Sequence, residues 1–269
     1  MTVPVGIFPP ALSFATDGFF QPNEKVLIQT MIFIYSDFGM NGPYSGTMRS
    51  VVMRHAPDVP VCDLMVDAPD RNPKAASYLL AALGGEFQKG DVVLAVVDPG
   101  VGSQRKALWV EADGVSFVGP DNGLFEMTIR RADQVTIHAI DWMPETASAS
   151  FHGRDVFAPV AAWIASKQPF ASHPMAVGDR FAAAQAWPDE LAEVIYVDPY
   201  GNLMTGLRAR SSDEKVSING HVVSGARTFS DVPPGSGFHY CNSIGLCEIA
   251  VNCGRADQLF EAGIGTVIS

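Results

Sequence analysis

From Met31 onward, short apolar runs alternate with helical patterns, which restricts the fold to an α/β sheet with parallel pairs. MIFIY (31–35) reads as a buried strand, followed by a helix over roughly Ser45 to Arg54. VPVCDLMV (59–66) leads into a helix from Pro73 to Leu83, where proline in the first turn loses no hydrogen bond. DVVLAVVD (91–98) is the strongest buried run, and ALWVEA and VSFVG form a hairpin around Asp113-Gly114. A short helix after Asn122, a strand near Val135–Ala139 and a helix from Val156 to Ser166 complete the pattern.

The texture then changes. Residues 168–192 hold three prolines and no clear period, which predicts a linker with one helix. From 193 to 269 the runs are short and separated by Gly, Asn and Pro, as in a small antiparallel barrel or sandwich. The fold class expected is therefore an N-terminal three-layer α/β domain (31–167) with a mostly parallel sheet, plus a smaller C-terminal antiparallel β-barrel-like domain (193–269). Residues 1–30 carry no basic residue before Lys25 and make a poor signal peptide. They are expected to be a peripheral extension whose removal leaves the fold intact, the alternative being that they pack on a partner subunit.

Composition excludes several functions. The chain has 29 Asp+Glu against 18 Lys+Arg, a net charge of −11, and no basic run, so a nucleic-acid partner is not expected. No apolar run reaches the ~18 residues of a membrane helix. Cys62, Cys241, Cys247 and Cys253 have neither CxxC pairing nor a histidine at finger spacing, so they read as reduced, packed thiols of a cytoplasmic protein rather than zinc ligands.

Four polar loops stand at strand or helix ends: Ser36-Asp37-Phe38-Gly39, Asp98-Pro99-Gly100 through Arg105, Pro120-Asp121-Asn122-Gly123, and Phe151-His152-Gly153-Arg154-Asp155. Each alone is ordinary turn or capping chemistry. No phosphate-binding loop, dinucleotide fingerprint, zinc-protease helix or serine elbow is present. Together, however, SDFGMNGPYSGTMRSV, VVDPGVGSQR, PDNGLF, SFHGRDVFAPVAA, VDPYGNLMTGL and NSIGLCEIAVN resemble, in order, the adenosine-forming S-adenosylmethionine (SAM) hydrolases, relatives of the SAM-dependent fluorinase and chlorinase.

That resemblance implies a metal-independent, cofactor-free hydrolysis of SAM to adenosine and L-methionine, by a homotrimer whose sites lie between subunits. It places the catalytic groups at Asp98, Arg105 and His152. It places the ribose hydroxyls on Asp37, the methionine amino group on Asp198 and Asn202, its carboxylate on Ser243, and the adenine edge on Val251 and Cys253. The halogenases carry Tyr where Asp98 stands and lack the Arg and His. Three departures are visible: Gly42 where the family has a second Asp, Met65 where it has His, and Thr205-Gly206-Leu207 in place of TNI. These motivate a rival expectation, a SAM- or adenosine-binding regulator without turnover. A SAM-dependent halogenase is a third.

Overall fold

A computed structural model describes residues 29–269; the reading of 1–30 as a peripheral extension falls almost wholly outside these residues. In chain order the N-terminal elements are β1 (Ile32–Ser36), α1 (Tyr44–His55), β2 (Val61–Met65), α2 (Pro73–Ala82), β3 (Val92–Val96), β4 (Ala107–Ala112), β5 (Val115–Pro120), α3 (Glu126–Arg131), β6 (Val135–Ile140), α4 (Ala158–Ala165) and β7 (Ser172–Met175). The seven strands form one sheet in the order β2-β1-β3-β5-β4-β6-β7. β2, β1, β3 and β5 pair in parallel; β4 and β7 are reversed, so five of the seven strands point the same way.

Side-chain alternation in the central strands sorts the core into two layers. Phe33 and Tyr35 of β1 face one layer, with Ala76 and Leu80 of α2 and Ile129 of α3. Ile32 and Ile34 face the other, with Met48 and Val52 of α1 and Val160 and Ala161 of α4. A strand buried on both faces has no polar side to show, which explains the unbroken apolar runs of β1 and β3. α2 starts where Pro73 predicts, and Asn72 caps it by accepting from Ala75 N at 3.1 Å, a contact worth about 1 kcal/mol.

Residues 168–192, expected to be irregular with one helix, contain β7 and two 3₁₀ turns, Val177–Asp179 and Ala182–Ala186. β7 was hidden by Pro174, which sits opposite His138 on the outermost strand. An edge strand tolerates proline because one side of its ladder is unpaired. The segment is also clamped. Glu126, 1% exposed, accepts from Arg130 Nε at 2.6 Å and from Arg180 Nε and Nη2 at 2.7 and 2.9 Å. Arg130 donates onward to the carbonyls of Ala184, Gln185 and Trp187.

Beyond the segment lie β8 (Leu191–Val197), β9 (Leu203–Arg208), β10 (Lys215–Ile218), β11 (His221–Ser224), β12 (Gly237–Cys241) and β13 (Leu246–Val251). An antiparallel sheet runs β12-β13-β9-β8, and the β10–β11 hairpin packs onto its core through Val216, Ile218 and Val223. A second apolar cluster joins the two sheet systems: Tyr78 and Leu79 of α2 meet Leu191 and Ile195 of β8 and Leu246 of β13. All four cysteines are free, but only Cys247 is buried; Cys62 is half-buried, and Cys241 and Cys253 are exposed. The packed-thiol expectation is thus corrected for those two, which stand at a strand end and in the turn after one.

Candidate active site

The strand order places the polar loops. The chain leaves β1 for β2 on one side and returns to β3 on the other, so the loops after β1 and β3 diverge at a switch point where α/β sheets bind ligands. Asp37 follows β1 directly, Asp98 lies two residues past β3, and His152 opens the turn leading into α4. They line a cavity of about 90 Å³ with Phe38, Val96, Pro99, Phe151 and Gly153 among its walls.

Asp98, Arg105 and His152 are brought together. Arg105 folds back on Asp98: its Nε donates to both carboxylate oxygens at 2.8 and 3.0 Å, and its Nη2 donates to Oδ2. The two side chains are only 9% and 4% exposed. The Arg105 Nη2 also reaches His152 Nδ1 at 3.2 Å, and its guanidinium lies 5.2 Å from the Phe157 ring centroid. A guanidinium can only donate, so His152 Nδ1 accepts and carries the lone pair. Burial, and then the Arg105 charge, hold the His152 imidazole below its ordinary pKa of 6.5, against opposing pulls from Asp98 and Asp155. The ring is therefore neutral at pH 7, with a basic nitrogen facing the Asp98–Arg105 pair.

Asp37 is set by a contact that sequence reading missed. The backbone N–H of Arg71, a residue at φ +48°, donates to Asp37 Oδ2 at 2.9 Å. Burial pushes the Asp37 carboxyl up, the Arg71 N–H opposes that, and the Asp70 and Asp98 charges add to it. Arg71 is the middle residue of an unremarkable PDRNP turn, and only its αL backbone turns the N–H toward β1. The aromatic mouth was missed as well: Phe38, Tyr44 and Phe151 pack mutually with centroids 5.5–5.8 Å apart. Asp155 anchors the same loop by accepting from Ser148 N at 2.9 Å. The PDNG loop is structural: Asn122 donates to the Val97 carbonyl at 2.9 Å, and Asp121 accepts from Phe181 N at 2.8 Å.

The remaining expected residues lie elsewhere. Asp198, Asn202, Val251 and Cys253 border a second, open cleft with Tyr200, Phe229 and Tyr240, and it shares no lining residue with the first cavity. Asp198 accepts from Tyr200 N, Asn202 N and Asn202 Nδ2 at 2.8–2.9 Å, which makes the VDPYGN turn rigid. Ser243 is on an exposed turn outside that lining. The 90 Å³ cavity adjoins a larger hollow of about 650 Å³, which Arg105, Asn122 and Trp187 line and which shares Arg71 and Pro99 with it.

The departures have local causes. Gly42 sits at φ +97°, a conformation an aspartate would take only under strain. Thr205 is fully buried and donates to the Cys247 carbonyl at 2.7 Å, while a Cβ on Gly206 would meet Leu191 Cβ at 2.6 Å. Both are packing positions of β9. Met65 ends β2 and packs beside the core. Among the described residues, no group of three or more His, Cys, Asp or Glu could hold a metal, and no helix is long and apolar enough to cross a membrane.

The chain is similar to proteins from several microorganisms. A Thermus thermophilus protein named (R)-S-adenosyl-L-methionine hydrolase is 37% identical over 84% of this chain and 94% of its own length. A protein of the same name from Salinispora arenicola is 35% identical over 86% of this chain and 93% of its own length. A solved structure of an uncharacterized conserved protein from Thermotoga maritima superposes with a TM-score of 0.79 at 28% identity, covering 89% of this chain and 99% of that one. The models of the SAM hydroxide adenosyltransferase N-terminal and C-terminal domains match residues 32–173 and 192–269, and the chain belongs to this SAM hydroxide adenosyltransferase family.

Proposed function

We propose that the protein hydrolyses SAM to adenosine and L-methionine. Water attacks the ribose C5′, the C5′–sulfonium bond breaks with its electron pair leaving on sulfur, and one proton is released. The observation that carries this reading is the contact of Asp98, Arg105 and His152 at the β1/β3 switch point. The attacking water gains hydroxide character as it approaches a cation, so charge is neutralised in the transition state. A site that replaces bulk water with fixed dipoles favours such a step. Water replaces Arg105 Nη2 as the donor to His152 Nδ1, whose single lone pair then accepts the proton; Arg105, freed from the ring, stabilises the developing hydroxide, and Asp98 orients Arg105 through a bidentate pair. Asp37 holds the ribose hydroxyls. No step in this scheme calls on a metal or cofactor.

The C-terminal region holds both ends of the substrate, through the Asp198 cleft and the Ser243 turn beyond it. Asp198 and Asn202 receive the methionine ammonium, Ser243 the carboxylate, and the backbone at Val251 and Cys253 the adenine edge. Because the Asp98–His152 cavity and the Asp198 cleft have no common lining, the reading includes a homotrimer in which the cavity of one copy faces the cleft of the next. A cytoplasmic location fits a substrate made and used inside cells.

Incubation with each sulfonium epimer of SAM, followed by chromatography, is expected to show equimolar adenosine and methionine. Tight SAM binding with no adenosine after long incubation would favour the regulatory alternative, and a 5′-halonucleoside formed in chloride or fluoride would favour the halogenase. The pH profile is a second expectation. The base works when deprotonated, so kcat/KM, which reports the free enzyme, should be flat through neutrality and fall on the acid side, with a midpoint below the ordinary histidine value of 6.5. A midpoint above that value would contradict the assignment of His152 as base.

A further inference from the structure

Glu248 stands in β13 with 2% of its surface exposed. Its neighbours Cys247 and Ile249 point into the C-terminal core, and alternation turns Glu248 to the opposite face. It is the direct cross-strand partner of Tyr240, so register rather than chance puts the two side chains together. Both carboxylate oxygens are engaged: Tyr240 Oη donates to Oε1 at 2.5 Å, and Asn242 Nδ2 donates to Oε2 at 2.8 Å. None of the ion pairs among the described residues includes it. A buried carboxylate without a cation is expensive to keep unless its hydrogen bonds do something that an apolar residue could not.

One of those bonds runs to the wall of the recognition cleft and the other to the turn that carries Ser243. Tyr240 forms part of its wall, 5.5 Å from Phe229 between ring centroids. Asn242 organises the turn between β12 and β13: its Oδ1 accepts from Ile244 N at 3.1 Å and Leu246 N at 2.9 Å. With its oxygen committed to the backbone, the Asn242 amide nitrogen can only turn to Glu248. Ser243, the next residue, rides on that turn. We infer that Glu248 is a positioning residue for substrate recognition, holding the Tyr240 wall and the Ser243 turn in one fixed relation while standing apart from the reacting atoms. The inference rests on the reading of this cleft as half of the SAM site.

The test is steady-state kinetics of SAM hydrolysis and calorimetric SAM binding with the full chain as wild type, E248L, E248Q and Y240F. E248L strands the Asn242 amide and the Tyr240 hydroxyl, and is expected to raise KM and Kd about tenfold with kcat within about threefold. Gln can accept from Asn242 through its oxygen and donate to Tyr240 Oη through its nitrogen, so E248Q should restore both constants to within about threefold of wild type. Y240F, which removes one hydroxyl, is expected to raise KM about threefold. Unchanged KM and Kd in E248L would overturn the inference, and so would a fall in kcat with KM unaltered. Should E248L not fold, an unchanged KM in Y240F overturns it instead. Failure of the functional reading is seen separately: a wild type that yields no adenosine refutes hydrolysis, and the binding comparison between wild type and variants then decides the role of Glu248.

Discussion

Arg105→Ala and His152→Ala are each expected to lower kcat for SAM hydrolysis by about 10²–10⁴-fold, the range that a positioned acid–base group supplies. His152→Ala removes the proton acceptor and leaves the Asp98–Arg105 pair in place, so KM should change little. Arg105→Ala does two things at once. It removes the group that stabilises hydroxide, and it strands the Asp98 carboxylate, which is 4% exposed and has both oxygens on that guanidinium. A drop in melting temperature should therefore accompany the kinetic loss in Arg105→Ala but be slight in His152→Ala. Arg105→Lys should rescue little, because an ammonium cannot copy a bidentate fork. The measurement is single-turnover adenosine formation with stability recorded alongside; undiminished turnover in both alanine variants would dismiss the role assignment.

Glu126→Ala should destabilise the protein by roughly 3 kcal/mol, because removing one member of a buried ion cluster leaves its partners uncompensated. Two guanidiniums would lose their carboxylate together, and through Arg130 the carbonyls of 184, 185 and 187 would lose their anchor. The figure is taken at the low end because the Arg130 side chain is 23% exposed and water can partly replace its partner. Burial alone would push the Glu126 carboxyl up, but hydrogen bonds and charge from Arg180 and Arg130 outweigh it and hold the group below its ordinary 4.5. A depressed carboxyl pKa contributes stability that is fully present above the unfolded value and is lost as pH falls through the folded one. The difference between wild type and Glu126→Ala should accordingly narrow below about pH 4.5. Urea unfolding at pH 7 and pH 3 checks both parts; a difference under about 1 kcal/mol at pH 7 would show that the clamp is ornamental.

These two sites differ in how far they could be read in advance. That Asp98, Arg105 and His152 converge was expected from the resemblance of their motifs to the family, and the structure brings the three side chains into contact. Glu126 and its two arginines were not foreseen. Arg180 comes from a proline-flanked segment 54 residues away, and no periodic signal marks it. Arg71, whose N–H fixes Asp37, was overlooked for a similar reason: a positive φ on a non-glycine residue leaves no trace in residue type. Pro174 even argued against β7, because the rule that proline breaks strands does not hold at a sheet edge.

Element type and order, the apolar character of β1 and β3, and the delivery of Asp, Gly and His to strand ends all follow from local periodicity and turn chemistry, which the linear chain already contains. Which strands lie side by side does not. The β2-β1-β3 order that opens the switch point comes from burial on both sheet faces at once, a condition that no window of sequence expresses. The return of Arg105 onto Asp98, its reach to His152 47 residues on, the separation of the cavity from the Asp198 cleft, and the use of Glu248 to hold a wall and a turn are all matters of where side chains come to rest in the folded chain. They are set by packing and by the need to pair buried polar groups, and so they exist only once the chain has folded.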